Sequence, residues 1–342
     1  MDFLLPVVSI AIFTYVLINA LIPFSEKFGL VDIPCERKKH VGNIPLVGGI
    51  AIYISTVVFA LLFVELDIQL MSIILIGGML TTIGTLDDRF SLSVKSRLFI
   101  QLAAGLLISA GMGIQLTNFG DLIGIGPVGI GSGALSIVVT CLAVAGLANA
   151  FNMMDGIDGL AGAISITALA PLLFFVNGSS AIFVSLIITS IFVFLLFNLN
   201  VKPIAKTKIF MGDSGSMFLG FTIAALMILF TQGENKQFEP VTALWFVAIP
   251  MMDMVSTMVR RMRKGQSPFY PDRTHLHHLL MHFGFSAPKS LFIIILSSAL
   301  LSTVGIYLNS INDTTSFVLF IIIFILYLQL ILHAWKIKKA IN

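Results

Sequence analysis

Two long apolar runs flank the stretch Asn149-Ala150-Phe151-Asn152-Met153-Met154-Asp155-Gly156-Ile157-Asp158-Gly159. The stretch carries carboxylates, carboxamides and glycines in surroundings that are otherwise hydrocarbon. Polar side chains at the end of a membrane span are costly unless they bind something. The stretch contains no Lys or Arg, so other segments must balance the charges of Asp155 and Asp158. We therefore expect it to be one part of a functional site that several segments build together.

The composition is that of an integral membrane protein. The chain has 342 residues, of which 57% are hydrophobic and 11% charged, and its mean hydropathy is +1.02. Soluble domains carry about 25% charged residues. The apolar runs are as long as membrane helices, about 20 residues, and lack the alternation of a β-barrel. The sequence predicts an all-α polytopic membrane protein with one domain over residues 1–342. The net charge of +3 is no evidence for a nucleic-acid partner.

Hydropathy predicts about eleven membrane-spanning helices. Their approximate ranges are 3–24, 45–64, 70–86, 98–116, 133–150, 160–177, 180–199, 214–231, 241–259, 291–308 and 315–335. Of the 20 Lys and Arg residues, all except Lys236 fall on one side, after odd-numbered spans. The positive-inside rule makes that side cytoplasmic. The N-terminus is then predicted to lie outside and the C-terminus inside.

Two pairs of aspartates lie at predicted cytoplasmic helix ends. Asp87 and Asp88 close the third span, where adjacent like charges repel unless a cation or a proton relieves them. They supply a metal ligand or a general base, or they are solvated acids at a helix end. Asp155 and Asp158 share a face if their segment is helical. The alternative is a capped start of the sixth span.

A third acidic motif opens the eighth span with the sequence Phe210-Met211-Gly212-Asp213-Ser214-Gly215-Ser216. Asp213 suits either a helix N-cap or a ligand. The small residues around it would also suit a phosphate near a helix N-terminus. Carboxylates and carboxamides without thiols favour a hard cation, Mg²⁺ or Mn²⁺.

Basic residues and histidines collect in the long predicted cytoplasmic loop 259–290. The run Arg260 to Lys264 is also explained as an orientation signal. The sequence Asp272-Arg273-Thr274-His275-Leu276-His277-His278 favours phosphate binding, since Arg and His both pair with anions. His40, which follows Arg37-Lys38-Lys39 in the first cytoplasmic loop, is a second candidate anion contact. Asp253, inside the ninth span, is expected to be a buried polar residue with a partner and not a catalyst.

Together these features indicate phosphoryl transfer at a membrane surface. The acids would hold a divalent cation, the basic groups would bind phosphates, and the protein would position two phosphate-bearing substrates. One substrate would be nucleotide-like and the other a lipid phosphate. An ion-coupled transporter is the alternative from another class. Transporters place ionisable groups near the bilayer midplane, often within inverted repeats. Here the acids lie at helix ends and no repeat is visible.

The same motifs resemble those of the polyprenyl-phosphate N-acetylhexosamine-1-phosphate transferases. The resemblance covers nearly the whole chain in order and rests on Leu86-Asp87-Asp88, on Asn149 to Gly159, on Gly212 to Ser216 and on His275 to His278. The histidine motif and Ser267-Pro268-Phe269 are similar to the branch that uses UDP-N-acetylglucosamine. The muramoyl-pentapeptide branch usually has three consecutive histidines before Phe-Glu, and this chain has neither feature.

The resemblance implies a reaction, its cofactor and its partners. UDP-N-acetylglucosamine and undecaprenyl phosphate would give the lipid-diphosphate sugar and UMP with Mg²⁺ or Mn²⁺, in the first membrane step of O-antigen or enterobacterial common antigen synthesis. The nucleotides of N-acetylgalactosamine and N-acetylfucosamine stay alternative donors. We favour direct attack over an enzyme-bound intermediate, because the nucleophile is already a phosphate oxygen. The lipid bilayer is a further partner, and the oligomeric state, a homodimer included, stays open.

The candidate residues follow from the motifs and the resemblance together. Catalytic roles are predicted for Asp87, Asp88, Asp155 and Asp158. Metal binding is predicted for Asp213, Asn152 and Asp87. Substrate binding is predicted for Asn149, Asn152, Lys95, Phe210, Arg261, Arg273, His275, His277, His278 and His40.

Overall fold

The computed structural model describes residues 3–34, 42–268 and 274–341, with side chains as far as residue 334. Thirteen α-helices make up most of this part of the chain. They are α1 Leu4–Lys27, α2 Gly48–Phe63, α3 Ile68–Phe90, α4 Val94–Leu106, α5 Ala134–Met154, α6 Leu160–Leu169, α7 Gly178–Asn198, α8 Gly212–Leu229, α9 Pro240–Phe246, α10 Ala248–Arg263, α11 Leu276–His282, α12 Ala287–Asn309 and α13 Asp313–Ile341. Leu107–Gly111 continues α4 as a π-helical turn, and Ala170–Phe174 continues α6 as a 3₁₀ turn.

Strands are short in the described chain. β1 (Val31–Asp32) pairs antiparallel with β2 (Ile44–Pro45), in a register that places Val31 opposite Pro45. This pair lies between α1 and α2 in the chain. Its Pro45 carbonyl accepts a hydrogen bond from the Phe210 amide at 2.8 Å. The small sheet is therefore tied directly to the segment that precedes α8.

The helices confirm a polytopic helical membrane protein. Within the described ranges, eight helices are long and apolar enough to cross a membrane, or nine if α9 and α10 form one broken span. The remaining two predicted spans coincide with the shorter apolar helices Gly48–Phe63 and Leu160–Phe174. Each predicted span thus corresponds to a helix or a helix pair. The total of eleven crossings and the orientation of the termini stay predictions.

The predicted ninth span, 241–259, is broken in the structure. α9 and α10 meet at Val247 with a bend of 80°. Pro250 lies in the first turn of α10 and has no amide hydrogen to donate to the Phe246 carbonyl. A helix can begin at such a proline but cannot run through it unchanged, which accounts for a new helix beginning at Ala248. The predicted loop 259–290 likewise contains a helix, α11.

α8 is the central helix of the bundle. Every one of its residues except Asp213 is buried, and it packs against α2, α3 and α5. Because protein surrounds α8 on all sides, its position is set by packing and not by lipid. Asp213, in its first turn, is therefore held by the most enclosed helix of the structure.

Small residues let α2 and α3 approach the start of α8 very closely. A Cβ at Gly49 would overlap the Gly215 backbone, and a Cβ at Gly84 would overlap the Ser214 backbone. The amides of Gly48 and Gly49 donate to the carbonyls of Phe210 and Met211, each at 3.0 Å. Close contacts between helix backbones are a common packing mode in membranes. Here they fix the segment that carries Asp213.

We expect Gly49→Ala to destabilise the protein, because the added methyl group meets the α8 backbone and neither helix can withdraw. Overpacking of this kind costs about 1–3 kcal/mol. Thermal unfolding of the detergent-solubilised protein measures the effect. Gly111→Ala is the matched control, since a Cβ at Gly111 meets nothing within 4 Å. Equal stability of the two variants would contradict this account of the α2–α8 contact.

Candidate active site

A polar cavity of about 710 Å³ lies where the ends of α3 and α5, the start of α8 and the β1 strand meet. We call it the acidic cavity. Its lining includes several residues that the sequence analysis singled out, namely Asp87, Asp88, Asn152, Asp155, Asp158, Phe210 and Asp213. They come from segments far apart in the chain: Asp88 and Asp213, which are hydrogen-bonded, are separated by 125 positions. The structure therefore places the three acidic motifs in one site.

Asp213 and Asn152 form the centre of the acidic cavity. The Asn152 Nδ2 atom donates to Asp213 Oδ1 at 2.5 Å and also contacts the Ser216 hydroxyl at 3.0 Å. This contact joins the last turn of α5 to the first turn of α8. It orients the Asp213 carboxylate and leaves its second oxygen, Oδ2, toward α4.

Arg97 lies between the two carboxylates of Asp87 and Asp213. Its Nε atom is 3.2 Å from Asp87 Oδ2, and its Nη1 atom is 3.6 Å from Asp213 Oδ2. Asp87 is 3% exposed, and its Oδ1 atom accepts the Leu92 amide at 2.7 Å. A guanidinium offers several donors in a fixed plane and can pair with two anions at once. Arg97 therefore supplies the positive charge that these acidic segments lack.

Asp88 accepts hydrogen bonds from backbone amides at the start of α8. Its Oδ1 atom accepts the Asp213 amide at 2.7 Å, and its Oδ2 atom accepts the Ser214 amide at 3.2 Å. The first amides of a helix have no partners within the helix and favour a nearby anion. The N-cap residue of α8, Met211, makes no capping hydrogen bond with its own side chain. Asp88 on α3 thus caps α8 from outside and fixes its first turn, which carries Asp213.

The loop between α5 and α6 is a turn, so Asp155 and Asp158 do not share a helical face. Asp158 pairs with Lys208, whose Nζ atom is 2.6 Å from Oδ2. The Gly159 amide donates to Asn198 Oδ1 at 2.6 Å, and Asn198 Nδ2 donates to the Ile209 carbonyl at 2.9 Å. Asn198, a buried residue at the end of α7, therefore connects this loop with the segment that leads to α8.

Asp155 is exposed to the cavity but enclosed by protein on its other sides. Desolvation by these surroundings raises the pKa of Asp155 to about 7, with further contributions from Asp213, Asp158 and Asp32. A carboxyl group in this state takes up a proton, or a cation, near neutral pH. The charge density of the acidic cavity therefore favours a cationic ligand.

The histidine motif reaches the acidic cavity through His277. Its ring lies against Gly156, where a Cβ would overlap the ring atoms. His277 is 1% exposed, and neither of its ring nitrogens has a hydrogen-bond partner among the described residues. Burial lowers the pKa of His277 to about 3, helped by His278 and His275. The ring centroids of His277 and His278 are 4.1 Å apart, and the ring of His275 stacks on that of His277 with 6.1 Å between their centroids.

Three predicted substrate-binding residues do not line the acidic cavity, and two of them have contacts elsewhere. Asn149 donates to Gln101 Oε1 at 2.6 Å and so links α5 with α4. Arg261 donates to the Pro268 carbonyl at 2.6 Å and folds back the turn after α10. Lys95 is exposed and does not line the acidic cavity.

Two further predicted residues, His40 and Arg273, lie outside the described residues. Phe210, by contrast, lines the acidic cavity, and Lys208 Nζ lies 5.1 Å from the centre of its ring.

Sequence reasoning missed Asp32, Arg97, Asn198 and Lys208. Arg97 is two positions from the predicted Lys95, and residues at this spacing point to different faces of a helix. Helical spacing counted from Asp87 and Asp88 would not have shown whether Lys95 or Arg97 faces these acids, because a loop separates α3 from α4. Asp32 lies in the short strand β1 and Lys208 in the loop before α8, and no motif marked either residue.

The residues of the acidic cavity fit a hard divalent cation. They offer carboxylate and carboxamide oxygens from Asp87, Asn152, Asp155 and Asp213, and none of the described residues that line the cavity is a cysteine. Among the described residues, no three His, Cys, Asp or Glu side chains form a ready-made metal cage. Mg²⁺ commonly needs only one or two carboxylates, with substrate phosphates and water completing its coordination. The donor set therefore suits a cation that arrives with a phosphate ligand.

The fold and the site define a membrane-embedded transferase, and comparison with known proteins gives its family. Residues 70–231 match glycosyl transferase family 4. The undecaprenyl-phosphate alpha-N-acetylglucosaminyl 1-phosphate transferase of Escherichia coli K12 is 40% identical over 348 residues, covering 98% of this chain and 92% of that protein. The proteins of the same name from Yersinia pestis and Haemophilus influenzae are 41% and 37% identical, covering 92% and 94% of this chain and 88% and 91% of their own lengths. The chain belongs to the polyprenyl-phosphate N-acetylhexosamine-1-phosphate transferase family.

We expect Gly156→Ala to lower transferase turnover by about 10- to 100-fold, because small misplacements of reacting groups have effects of this size. The new methyl group would displace the buried His277 ring from the acidic loop. Gly156 has no left-handed φ, so the change adds no backbone strain of its own. Turnover per folded molecule measures the effect, and Gly133→Ala, which meets open space, is the control. Full activity of Gly156→Ala would show that the His277 contact is dispensable.

Proposed function

We propose that this protein transfers N-acetylglucosamine 1-phosphate from UDP-N-acetylglucosamine to undecaprenyl phosphate, giving undecaprenyl-diphospho-N-acetylglucosamine and UMP. The activity named for its relatives supports the transferred group and the acceptor. The observation that carries the proposal is the acidic cavity, where Arg97 bridges Asp87 and Asp213. A site of this kind suits phosphoryl transfer, in which positioning and charge neutralisation do most of the catalysis.

In the proposed reaction, an oxygen of the lipid phosphate attacks the sugar-linked phosphorus of the donor. A new P–O bond forms, the bond to the UMP phosphate oxygen breaks, and UMP carries the electron pair away. Direct attack is favoured because the acceptor oxygen is already anionic. Arg97 would hold the acceptor phosphate beside Asp87, and the guanidinium would exchange part of its carboxylate contacts for phosphate contacts.

A bound Mg²⁺ or Mn²⁺ would neutralise the charge of the donor diphosphate. Asp213 is the proposed metal ligand, with Asn152 and Asp87 beside it. Asn152 orients the Asp213 carboxylate through its 2.5 Å hydrogen bond. Asp88 acts indirectly, because both of its oxygens cap α8. Asp155, with a pKa near neutrality, can release or accept a proton as the donor enters.

The donor is proposed to lie between the acidic cavity and the histidine segment. His277 is already packed against Gly156, next to Asp155. Lys208 lies over the Phe210 ring and pairs with Asp158 at the cavity wall. An aromatic ring beside a cation is suited to a base and a phosphate of a nucleotide. The histidine motif His275-Leu276-His277-His278 supports UDP-N-acetylglucosamine as the donor on resemblance.

An apolar groove offers a place for the polyprenyl chain. It encloses about 390 Å³ between α5, α8 and the bent pair α9 and α10. Almost all of its surface is hydrocarbon, with Leu147 and Gly146 on the α5 wall. Asn152 follows Leu147 on the same helix, about 8 Å farther along its axis at 1.5 Å per residue. On α8 the first lining residue of the groove is Ala224, eleven residues beyond Asp213, or about 16 Å along the axis. The proposed acceptor would therefore lie along α5 and α8, with its phosphate head in the acidic cavity and its hydrocarbon tail in the groove.

The basic-residue asymmetry supports a topology with eleven crossings, a periplasmic N-terminus and a cytoplasmic active site in the inner membrane. In this orientation the acidic cavity faces the compartment that holds nucleotide sugars. The product would begin a polysaccharide of the O-antigen or enterobacterial common antigen type. Assembly as a homodimer stays a prediction.

The proposed reaction is tested by UMP release and by the mass of the lipid product, with purified protein, UDP-N-acetylglucosamine, a short polyprenyl phosphate and Mg²⁺. We expect EDTA to abolish turnover and Mg²⁺ or Mn²⁺ to restore it. Asp213→Asn keeps the side-chain shape but removes a charge, so it should need far more Mg²⁺ for any remaining activity. No UMP from folded wild-type protein, or a product only with other UDP-sugars, would refute the proposed activity or its donor.

We expect Arg97→Ala to lower kcat/KM for the lipid phosphate by about 100-fold, the usual effect of removing one donor that stabilises developing charge. Arg97→Lys should recover only part of the loss, because an ammonium group cannot pair in the planar fashion of a guanidinium. Arg89→Ala is the control, since Arg89 lies over the Phe90 ring at 4.9 Å. If Arg89→Ala and Arg97→Ala lose activity equally, the loss reflects net charge and not the bridge between Asp87 and Asp213.

A further inference from the structure

A fully buried carboxylate on α10 has no part in the chemistry described so far. Asp253 is 0% exposed and accepts hydrogen bonds from three groups. Its Oδ1 atom accepts the Leu276 amide at 2.8 Å and the Tyr327 hydroxyl at 3.2 Å. Its Oδ2 atom lies 2.8 Å from His275 Nδ1. Buried charges persist in proteins only when paired or hydrogen-bonded in this way.

We propose that Asp253 is a positioning residue that anchors the histidine segment 275–282 and holds the proton of His275 on Nδ1. This inference rests on the proposed function, in which that segment faces the donor. An ionised carboxylate only accepts hydrogen bonds, so the proton between the two groups belongs to Nδ1. The Nε2 atom is then the one ring nitrogen of His275 left for a substrate. Histidine ligands and bases elsewhere are oriented by carboxylates in the same manner.

The anchor acts at two points of the segment. The bond from the Leu276 amide satisfies the first turn of α11, which otherwise has unpaired amides. The bond from His275 fixes the ring plane. Thr257, one turn along α10, also approaches His275 Nδ1, but at 3.5 Å it is a weak competitor. Asp253 therefore determines both where α11 starts and how the His275 ring is turned.

A continuous set of contacts connects this anchor with the acidic cavity. The His275 ring is nearly parallel to the His277 ring, with an interplanar angle of 10°. The His277 ring in turn lies against Gly156, beside Asp155. The Tyr327 contact adds α13, so three helices meet at one carboxylate. Loosening Asp253 should consequently move the histidines relative to the acids, while leaving the acidic cavity itself intact.

The test is a double-mutant cycle of Asp253→Asn and His275→Ala, measured as kcat/KM for UDP-N-acetylglucosamine on folded, detergent-solubilised protein. Asp253→Asn alone should lower this value by about 10- to 100-fold, the usual effect of losing a group that orients a histidine. In the His275→Ala background the same change should have an effect of no more than about twofold, because coupled residues are not additive. KM for the lipid phosphate should change little in all variants. Asp67→Asn is the matched control, since Asp67 also accepts a helix amide, that of Leu70 at 2.7 Å, far from the site.

Additive effects of the two substitutions, or equal losses for donor and acceptor, would overturn the proposal, because a merely structural role predicts them. Hydrogen exchange of the wild-type protein gives a second measurement that needs no variant. The Leu276 amide should exchange more slowly than the amides of the exposed turn 264–267, and equal exchange would also overturn the anchor. An inactive wild-type enzyme would refute the proposed function, whereas an active enzyme with additive effects would refute only the role of Asp253.

Discussion

Carboxylates that lie close together beside hydrocarbon repel one another, and the whole site depends on how this repulsion is relieved. Asp87 and Asp213 share the guanidinium of Arg97, and Asp158 pairs with Lys208. Asp88 is stabilised by the unpaired amides at the start of α8. The acids are thus compensated by basic side chains or by helix amides. Burial, with further contributions from Asp213, Asp158 and Asp32, raises the pKa of Asp155 toward neutrality. The remaining excess of negative charge is what makes the cavity suitable for a cation and its phosphates.

This arrangement requires a rigid frame, and α8 supplies it. Buried on all sides, α8 is held at its first turn by the close approach of α2 and α3 at Gly49 and Gly84. Loop flexibility is limited by Asn198, which joins the loop after α5 to the segment before α8. The charged groups are consequently carried by well-packed backbone, and they need not reorganise when a substrate enters. Such preorganisation is the main source of electrostatic catalysis.

The histidine segment is attached to this frame from the opposite side. Asp253 and Tyr327 hold its start, and the His277 ring reaches Gly156. The acidic cavity is therefore built by one group of helices and approached by a second group. The break between α9 and α10 borders the apolar groove between α5 and α10.

The sequence by itself determined the helical membrane class, the approximate position of the long apolar helices and the motifs around Asp87, Asn152, Asp155 and Asp213. Long apolar runs have few alternatives in a membrane, and acids within them stand out because they are costly there. Only the tertiary structure decided the partners: Arg97 instead of Lys95 beside the acids, Lys208 for Asp158, a capping role for Asp88, and Asp253 beneath His275. Some of these pairs join residues that are far apart in the chain. Others join residues on successive helices, whose relative rotation is set by the loop between them. The partner of each carboxylate is therefore set by helix packing, which no local pattern of residues encodes.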